Sequence, residues 1–263
     1  LLATVDQVVK PWANARALLE ISGGLDSAIV GAALVASEGE ITCGLNYYGG
    51  DAQADERLFA RAVAKRFGVA LTETPKAPAP LDLAALAERS GDLRPALNGF
   101  DHIHDDHVAG LCRERDIGVI LTGQGGDNVF FQTPTPLIAA DHLAQTTLLE
   151  LTDLARWQGM SVWRLVGDAV QARWTRPAPR PTPNLLTKRA RELAAAAAPH
   201  PWICDLGTVG PAKRLQIESL ANALIVHGAS RRGEAARLRH PLLAQPLLEL
   251  CLAIPAVDLA AGG

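Results

Sequence analysis

Short apolar runs punctuate the first half of the chain, and stretches with helical spacing separate them. Ala17–Ile21, Ile41–Tyr48, Val69–Thr72 and the run 117–121, centred on Val119–Leu121, have the length and near-continuous apolar character of buried strands. Between them, Leu25–Ala36, Asp55–Phe67, Leu81–Arg89 and His107–Arg115 read as helices; in the second of these Leu58, Phe59, Ala62, Val63 and Phe67 share a face. Leu1–Pro11 predicts a short amphipathic helix, and Pro75–Pro80 a stiff connector. Alternating strand and helix predicts an α/β fold with a doubly wound parallel sheet over residues 1–135. The pattern then loses its strands. Leu137–Arg156, Val162–Arg173, Leu185–Ala198, Pro211–Val226 and Pro241–Ile254 all predict helices, with Pro177–Pro183 as a linker, so 136–263 reads as a helical part packed on the first. No internal repeat is visible.

The strand at 17–21 runs into Ser22-Gly23-Gly24-Leu25-Asp26-Ser27 and then into a helix. Gly23 and Gly24 let backbone approach phosphate oxygens without a Cβ in the way. The helix start aims unpaired N–H groups and a positive dipole end at an anion. Ser22 and Ser27 add hydroxyl donors. Asp26 repels a bare polyphosphate, so it suits a Mg²⁺ ion that bridges to one. No Lys follows the glycines, so this is not a Walker loop, and Gly-x-Gly-x-x-Gly is absent too. A second strand, 117–121, runs into Thr122-Gly123-Gln124-Gly125-Gly126-Asp127-Asn128. In an open parallel sheet ligands sit beyond the carboxyl ends of the strands, so the two loops are expected to place Asp26 and Asp127 around one metal–pyrophosphate group. Taken alone, Asp127 reads equally as an Asx turn or a helix N-cap.

Composition agrees with a folded, non-membrane chain. In 263 residues, a hydrophobic share of 48% suffices for a large core, and the net charge of −3 gives no basic footprint for nucleic acid. No apolar run is long enough to span a membrane, and no signal-peptide pattern is present. Cys43, Cys112, Cys204 and Cys251 lie far apart, form no Cys-x-x-Cys pair, and read as small buried hydrophobes of a reducing cytoplasm.

The two loops together resemble the synthetase domain of the asparagine synthetase family, over most of the chain. The wording Gly-Gly-Asp-Asn-Val-Phe at 125–130, Ser161-Val162-Trp163, Pro199-His200-Pro201-Trp202 and His240–Leu247 is most similar to the lasso peptide cyclases within it. The resemblance implies a fold of the adenine nucleotide alpha-hydrolase type, with ATP and Mg²⁺ as cofactors. It implies backbone near Leu19 and Leu45 against adenine, and Gly123 beside the ribose or α-phosphate. As side chains, Leu19 and Leu45 read equally well as plain core. The reaction implied is adenylation of an Asp or Glu side chain of a leaderless peptide, with release of pyrophosphate, then attack by the peptide's N-terminal amine to close a macrolactam. A precursor peptide, a leader-binding protein and a leader peptidase are the implied partners. Other readings are an amide ligase acting on a small carboxylate, and a nucleotide-binding pseudo-synthetase scaffold.

The chain also departs from the family. Gln124 stands where asparagine synthetases carry Glu and β-lactam synthetases Tyr, and Gln orients groups by hydrogen bonds but is no base. Asn128 replaces an acid. No residue fills the role of a glutaminase domain's N-terminal Cys, and the chain ends at Gly263 ahead of a basic motif with a Lys. The resemblance is therefore to one synthetase domain without its N-terminal partner or its C-terminal tail. Lys213 and Arg214 read as cations for a peptide carboxylate or as a solvated helix face. His102, His104 and His107, among Asp101, Asp105 and Asp106, read as a peptide-facing rim or a metal cluster. Glu150 and Asp153 read as orienting acids or a solvated face, and Trp157, Trp163, Trp174 and Trp202 as a peptide channel or as core.

Overall fold

The computed structural model describes residues 1–50, 55–76, 82–84, 87, 101–143, 147–174 and 186–261. Five strands form one all-parallel sheet: β1 (Ala17–Glu20), β2 (Ile41–Tyr48), β3 (Leu71–Pro75), β4 (Val119–Leu121) and β5 (Arg237–Arg239), in the order β3-β2-β1-β4-β5. The chain winds one way from β1 to β3 and the other way through β4 and β5, which is the expected doubly wound α/β fold. The switch point is the β1/β4 pair. Leu18 sits level with Ile120 and Leu19 with Leu121, so the two strands end side by side.

Helices cover both faces of the sheet. On one face Leu18, Cys43, Leu45 and Ile120 pack with Val108, Leu111 and Cys112 of α4 (His102–Glu114) and with Ala236, which follows α11 (Arg231–Ala235). On the other lie α2 (Leu25–Ala36) and α3 (Arg57–Phe67). There a Cβ on Gly31 would stand 2.7 Å from Leu19 and 2.5 Å from Phe67, so helix and sheet meet at backbone range. α1 (Leu2–Val9) buries Val5 and Val9.

Two compact units are present: Leu1–Val129 with Ala223–Cys251, and Phe130–Asn222 with Leu252–Gly263. The second is helical. It contains α6 (Leu137–His142), α7 (Leu148–Trp157), α8 (Val162–Trp174), α9 (Lys188–Ala196), most of α10 (Pro211–Ala223) and α13 (Ala256–Ala261). Its core is built on Phe131, Ile138, Leu151, Leu154, Leu165, Ala212 and Leu259. In the first unit, the chain after α11 enters β5, makes a 3-10 turn at Pro241–Leu243 and continues as α12 (Gln245–Ala253).

Several boundaries differ from the sequence expectation, each for a local reason. Strand β3 starts at Leu71 rather than Val69, because Gly68 takes a left-handed φ of 68° and Val69 N–H closes on Ala64 O, ending α3. It runs through Pro75, which an edge strand tolerates. Helix α4 begins at His102, not His107. The expected helix 137–156 is two helices. Thr147 and Glu150 form a capping box that starts α7, with Thr147 N–H donating to Glu150 Oε2 at 2.7 Å. The expected helix 241–254 begins as a 3-10 turn and breaks at Ala244, whose ψ of 139° is extended. Strand β5 was not expected, and it takes its place in the sheet from within the stretch read as helical. Most of Leu81–Arg89 and all of Pro177–Pro183 lie outside the described residues. No helix among those described is long and apolar enough to cross a membrane.

Candidate active site

Strand β1 delivers the first loop to the carboxyl edge of the sheet. Its turn is held by its own hydroxyls: Ser27 Oγ accepts from Ser22 N–H at 3.3 Å and donates to Gly24 O at 3.2 Å, while Ser22 Oγ accepts from Gly24 N–H at 3.2 Å. Gly23 has φ 101°, and a Cβ there would stand 2.7 Å from Glu56 O, so only glycine fits. Asn46, buried in β2, donates Nδ2–H to Ile21 O at 2.7 Å and anchors the residue that leads into the loop. α2 starts at Leu25, which puts Asp26 and Ser27 in its first turn.

Strand β4 delivers the second loop beside it. A short helix, α5 (Gly126–Val129), carries Asp127 in its first turn, and Gly125 takes φ 91°. The loops touch at backbone range. A Cβ on Gly123 would stand 2.5 Å from Ser27 N, and one on Gly126 between 2.0 and 2.3 Å from the three carboxylate atoms of Asp26. The structure thus brings Asp26 and Asp127 together. Burial first, and then the Asp127 charge, push the Asp26 carboxyl up to about 6, against a backbone bond from Asp127 that lowers it. Two carboxylates forced together in a partly desolvated place repel each other. A divalent cation relieves that repulsion, and two acidic oxygen donors beside a phosphate cradle suit Mg²⁺, which binds through one or two carboxylates plus substrate oxygens.

The other expected residues fall in three places. Gly123 and Gln124 lie in the second loop, with Gln124 exposed and its N–H donated to Thr122 Oγ1 at 3.2 Å. Ser22, Gly23, Gly24 and Ser27 make the first loop. Leu19 and Leu45 are wholly buried in strands, and Leu45 O already accepts from Ile21 N–H at 2.8 Å, so any contact they offer is by backbone.

Sequence reading missed three groups at this edge. One is Asn46, whose signal is a polar residue inside an apolar strand. Another is Glu20, the acid closing the run Ala17–Glu20, whose Oε1 pairs with Arg232 Nη1 at 2.5 Å. The third is His240, buried and bonded through Nδ1 to Thr122 Oγ1 at 2.7 Å. Burial above all, then the neighbouring His227 and Arg232, hold the His240 imidazole down to about 4. Between pH 6.5, its ordinary value, and about 4 the unfolded chain therefore binds the proton and the folded one does not. Stability from this group is complete above pH 6.5 and falls with pH through that window, by about 3 kcal/mol in all. His240→Asn is expected to remove that fall. The check is denaturant unfolding of both proteins across the window; the opposite contribution of Asp26 is common to both and cancels in the difference.

The His–Asp stretch before β4 is divided among separate partners. Asp105 accepts from Arg231 N–H at 2.7 Å and Arg232 N–H at 3.2 Å, so it caps α11. His107 Nδ1 meets the Tyr47 hydroxyl, and His104 Nε2 lies 3.7 Å from Glu20. Asp101 pairs with Lys76. Among the described residues no group of three or more His, Cys, Asp or Glu is arranged to hold a metal ion. In the helical unit, Glu150 is spent on the capping box, Asp153 pairs with Arg156, and Lys213 Nζ donates to Gln216 at 2.7 Å. Cys43, Cys112 and Cys251 are buried as expected, but Cys204 is exposed. Trp163 and Trp174 are 87% and 82% exposed, so neither is core.

A parallel sheet whose switch point carries a phosphate-type cradle and two adjacent carboxylates defines a nucleotide-dependent enzyme of the α/β class. The family described as asparagine synthase matches residues 12–263, and the chain belongs to that family. Its members are ATP-dependent amide ligases that release AMP and pyrophosphate, typically with Mg²⁺. No curated protein matches the chain.

Proposed function

We propose that this chain is a lasso peptide cyclase, an ATP-dependent macrolactam synthetase. The observation that carries the adenylation half is the contact of the two loops, which sets Asp26 against Gly126 and beside Asp127. In that half an Asp or Glu side-chain oxygen of the peptide bonds to the α-phosphorus of ATP, and the bond to pyrophosphate breaks. The exposed Ser22 and the N–H groups at the start of α2 bind the departing phosphates, while the buried Ser27 hydroxyl, which the sequence suggested as a phosphate donor, is committed to Gly24 O and braces the turn. Asp26 and Asp127 would hold Mg²⁺, which supplies neutralising charge to the pyrophosphate.

In the second half the peptide's N-terminal amine bonds to the activated carbonyl, AMP leaves, and the amine gives up one proton. A free α-amino group has a pKa of about 8, so a useful fraction is neutral near pH 7 and positioning supplies much of the rate. The exposed Gln124 amide supports this reading, since it orients an amine or carbonyl and takes no proton. The likeness of 125–130, 161–163, 199–202 and 240–247 to lasso peptide cyclases points the same way. The partners that follow are a precursor peptide, a leader-binding protein and a leader peptidase.

The test compares AMP formation with a leaderless core peptide against AMP formation with small carboxylates plus ammonia. Peptide dependence supports the cyclase. Turnover of a small carboxylate instead moves the assignment to another amide ligase of the family. Nucleotide binding with no cleavage under either condition contradicts both and favours a scaffold.

A further inference from the structure

We infer that His240 is a positioning residue for the second loop: through the Thr122 hydroxyl it fixes the backbone from which Gln124 and Asp127 project. The inference rests on the nucleotide-binding role proposed for that loop. Thr122 directly follows β4, is 1% exposed, and is held from two sides. Its N–H donates to Arg239 O at 3.2 Å, extending the β4–β5 ladder past the last paired residues. Its hydroxyl accepts Gln124 N–H at 3.2 Å, which leaves the hydroxyl proton for His240 Nδ1 at 2.7 Å. Burial keeps the imidazole neutral down to about pH 4, and in the tautomer with its proton on Nε2 its Nδ1 accepts the Thr122 hydroxyl proton. Three residues on, Leu243 fills the space beneath Gly125, where a Cβ would stand 2.3 Å from its Cδ2. Arg239, His240 and Leu243 thus form a seat for the loop's turn. The seat comes from β5 and the Pro241–Leu243 turn, more than a hundred residues away in sequence.

Chemically, the chain His240–Thr122–Gln124 N–H is a line of two hydrogen bonds, the first buried and the second part-buried, with one hydroxyl at its centre. A buried partner left unpaired costs more than the bond itself is worth. Removing either end lets the backbone between Thr122 and Asp127 relax, and a small displacement of positioned groups is costly. The part of the nucleotide that depends on Asp127 is the metal-bound pyrophosphate, whereas Gly123, expected beside the ribose or α-phosphate, is packed against the backbone of Ser27 in the first loop and does not rely on the Thr122 hydroxyl for its place.

The test is calorimetric titration of the full chain with MgATP and, separately, with AMP, for Thr122→Val, Thr122→Ser, His240→Phe and His240→Asn. Thr122→Val and His240→Phe are each expected to weaken MgATP about ten-fold while AMP affinity stays within about two-fold. Thr122→Ser keeps the hydroxyl, and His240→Asn keeps an acceptor near the Nδ1 position, so both are expected to restore MgATP binding. The double variant Thr122→Val/His240→Phe is expected to be no worse than the poorer single one, as for residues in one network. Unchanged MgATP affinity in Thr122→Val and His240→Phe overturns the inference. So does an equal loss for MgATP and AMP, which is the mark of a merely structural role. Because the readout is binding, a wild-type chain that binds MgATP yet forms no amide contradicts the proposed reaction without touching this result.

Discussion

Asp127→Asn is expected to lower AMP formation by about a thousand-fold while raising thermal stability slightly, since it removes the charge that repels Asp26 but not the burial of Asp26. Asp127 is exposed in the first turn of a four-residue helix, so the fold gains little from its charge. Its proposed work is done when Mg²⁺ and pyrophosphate are present, and each 1.4 kcal/mol of lost transition-state stabilisation is about ten-fold in rate. Asp26→Asn is expected to cost a similar factor in rate with a different stability signature. Its carboxylate is half-buried and beside a like charge, which pushes it up to about 6. A neutral amide there relieves repulsion, so the metal-free variant is expected to melt no lower than the parent, and higher at pH 8. Loss of activity with gain of stability is the pattern of a strained functional site. Initial rates of pyrophosphate release and melting curves at pH 8 check both. Full activity in either variant removes that residue from the proposed site.

Gly126→Ala has the second large expected effect. An added Cβ would lie 2.0 Å from Asp26 Cγ and 2.1 and 2.3 Å from its oxygens, far inside contact distance. Either the Asp26 side chain or the second loop has to move. Misplacing groups by about 1 Å costs roughly a hundred-fold in rate, and overpacking costs about 1–3 kcal/mol of stability. Gly110→Ala in α4 is the control, because a Cβ there meets nothing within 4 Å; it is expected to leave kcat intact and to raise stability by up to about 1 kcal/mol, as a helix-interior Gly→Ala change does. Measuring kcat and unfolding free energy for the pair separates a local clash from a general intolerance of alanine.

The central strands and both loops were legible because local sequence carries their physics. Ala17–Leu19 and Val119–Leu121 are apolar on both faces, as buried parallel strands are, and glycines with an acid mark each turn. Strand β5 was not legible. Arg237-Leu238-Arg239 has two exposed arginines about one half-buried leucine, and it is a strand because β4 offers it a ladder. Neither was the seat beneath the second loop, since the pairing of His240 with Thr122 spans 118 positions and no local pattern encodes it. The break before α7 does have a local signal, since Thr147 followed by Glu150 three positions on is a capping pair, but helical periodicity on both sides masks it. The aspartates of the 101–106 stretch suggested one cluster because they are close in sequence. They are spent on separate basic groups instead: Asp101 pairs with Lys76, and Asp105 and Asp106 both hold the start of α11.

The most direct measurement of the proposed reaction is the intact mass of a leaderless core peptide after incubation with the full protein and MgATP, with AMP counted in the same sample. The proposed cyclase predicts loss of one water from the peptide, with one AMP formed per peptide converted and neither change in Asp127→Asn. A peptide of unchanged mass, beside AMP that forms only when a small carboxylate and ammonia are supplied, would contradict it.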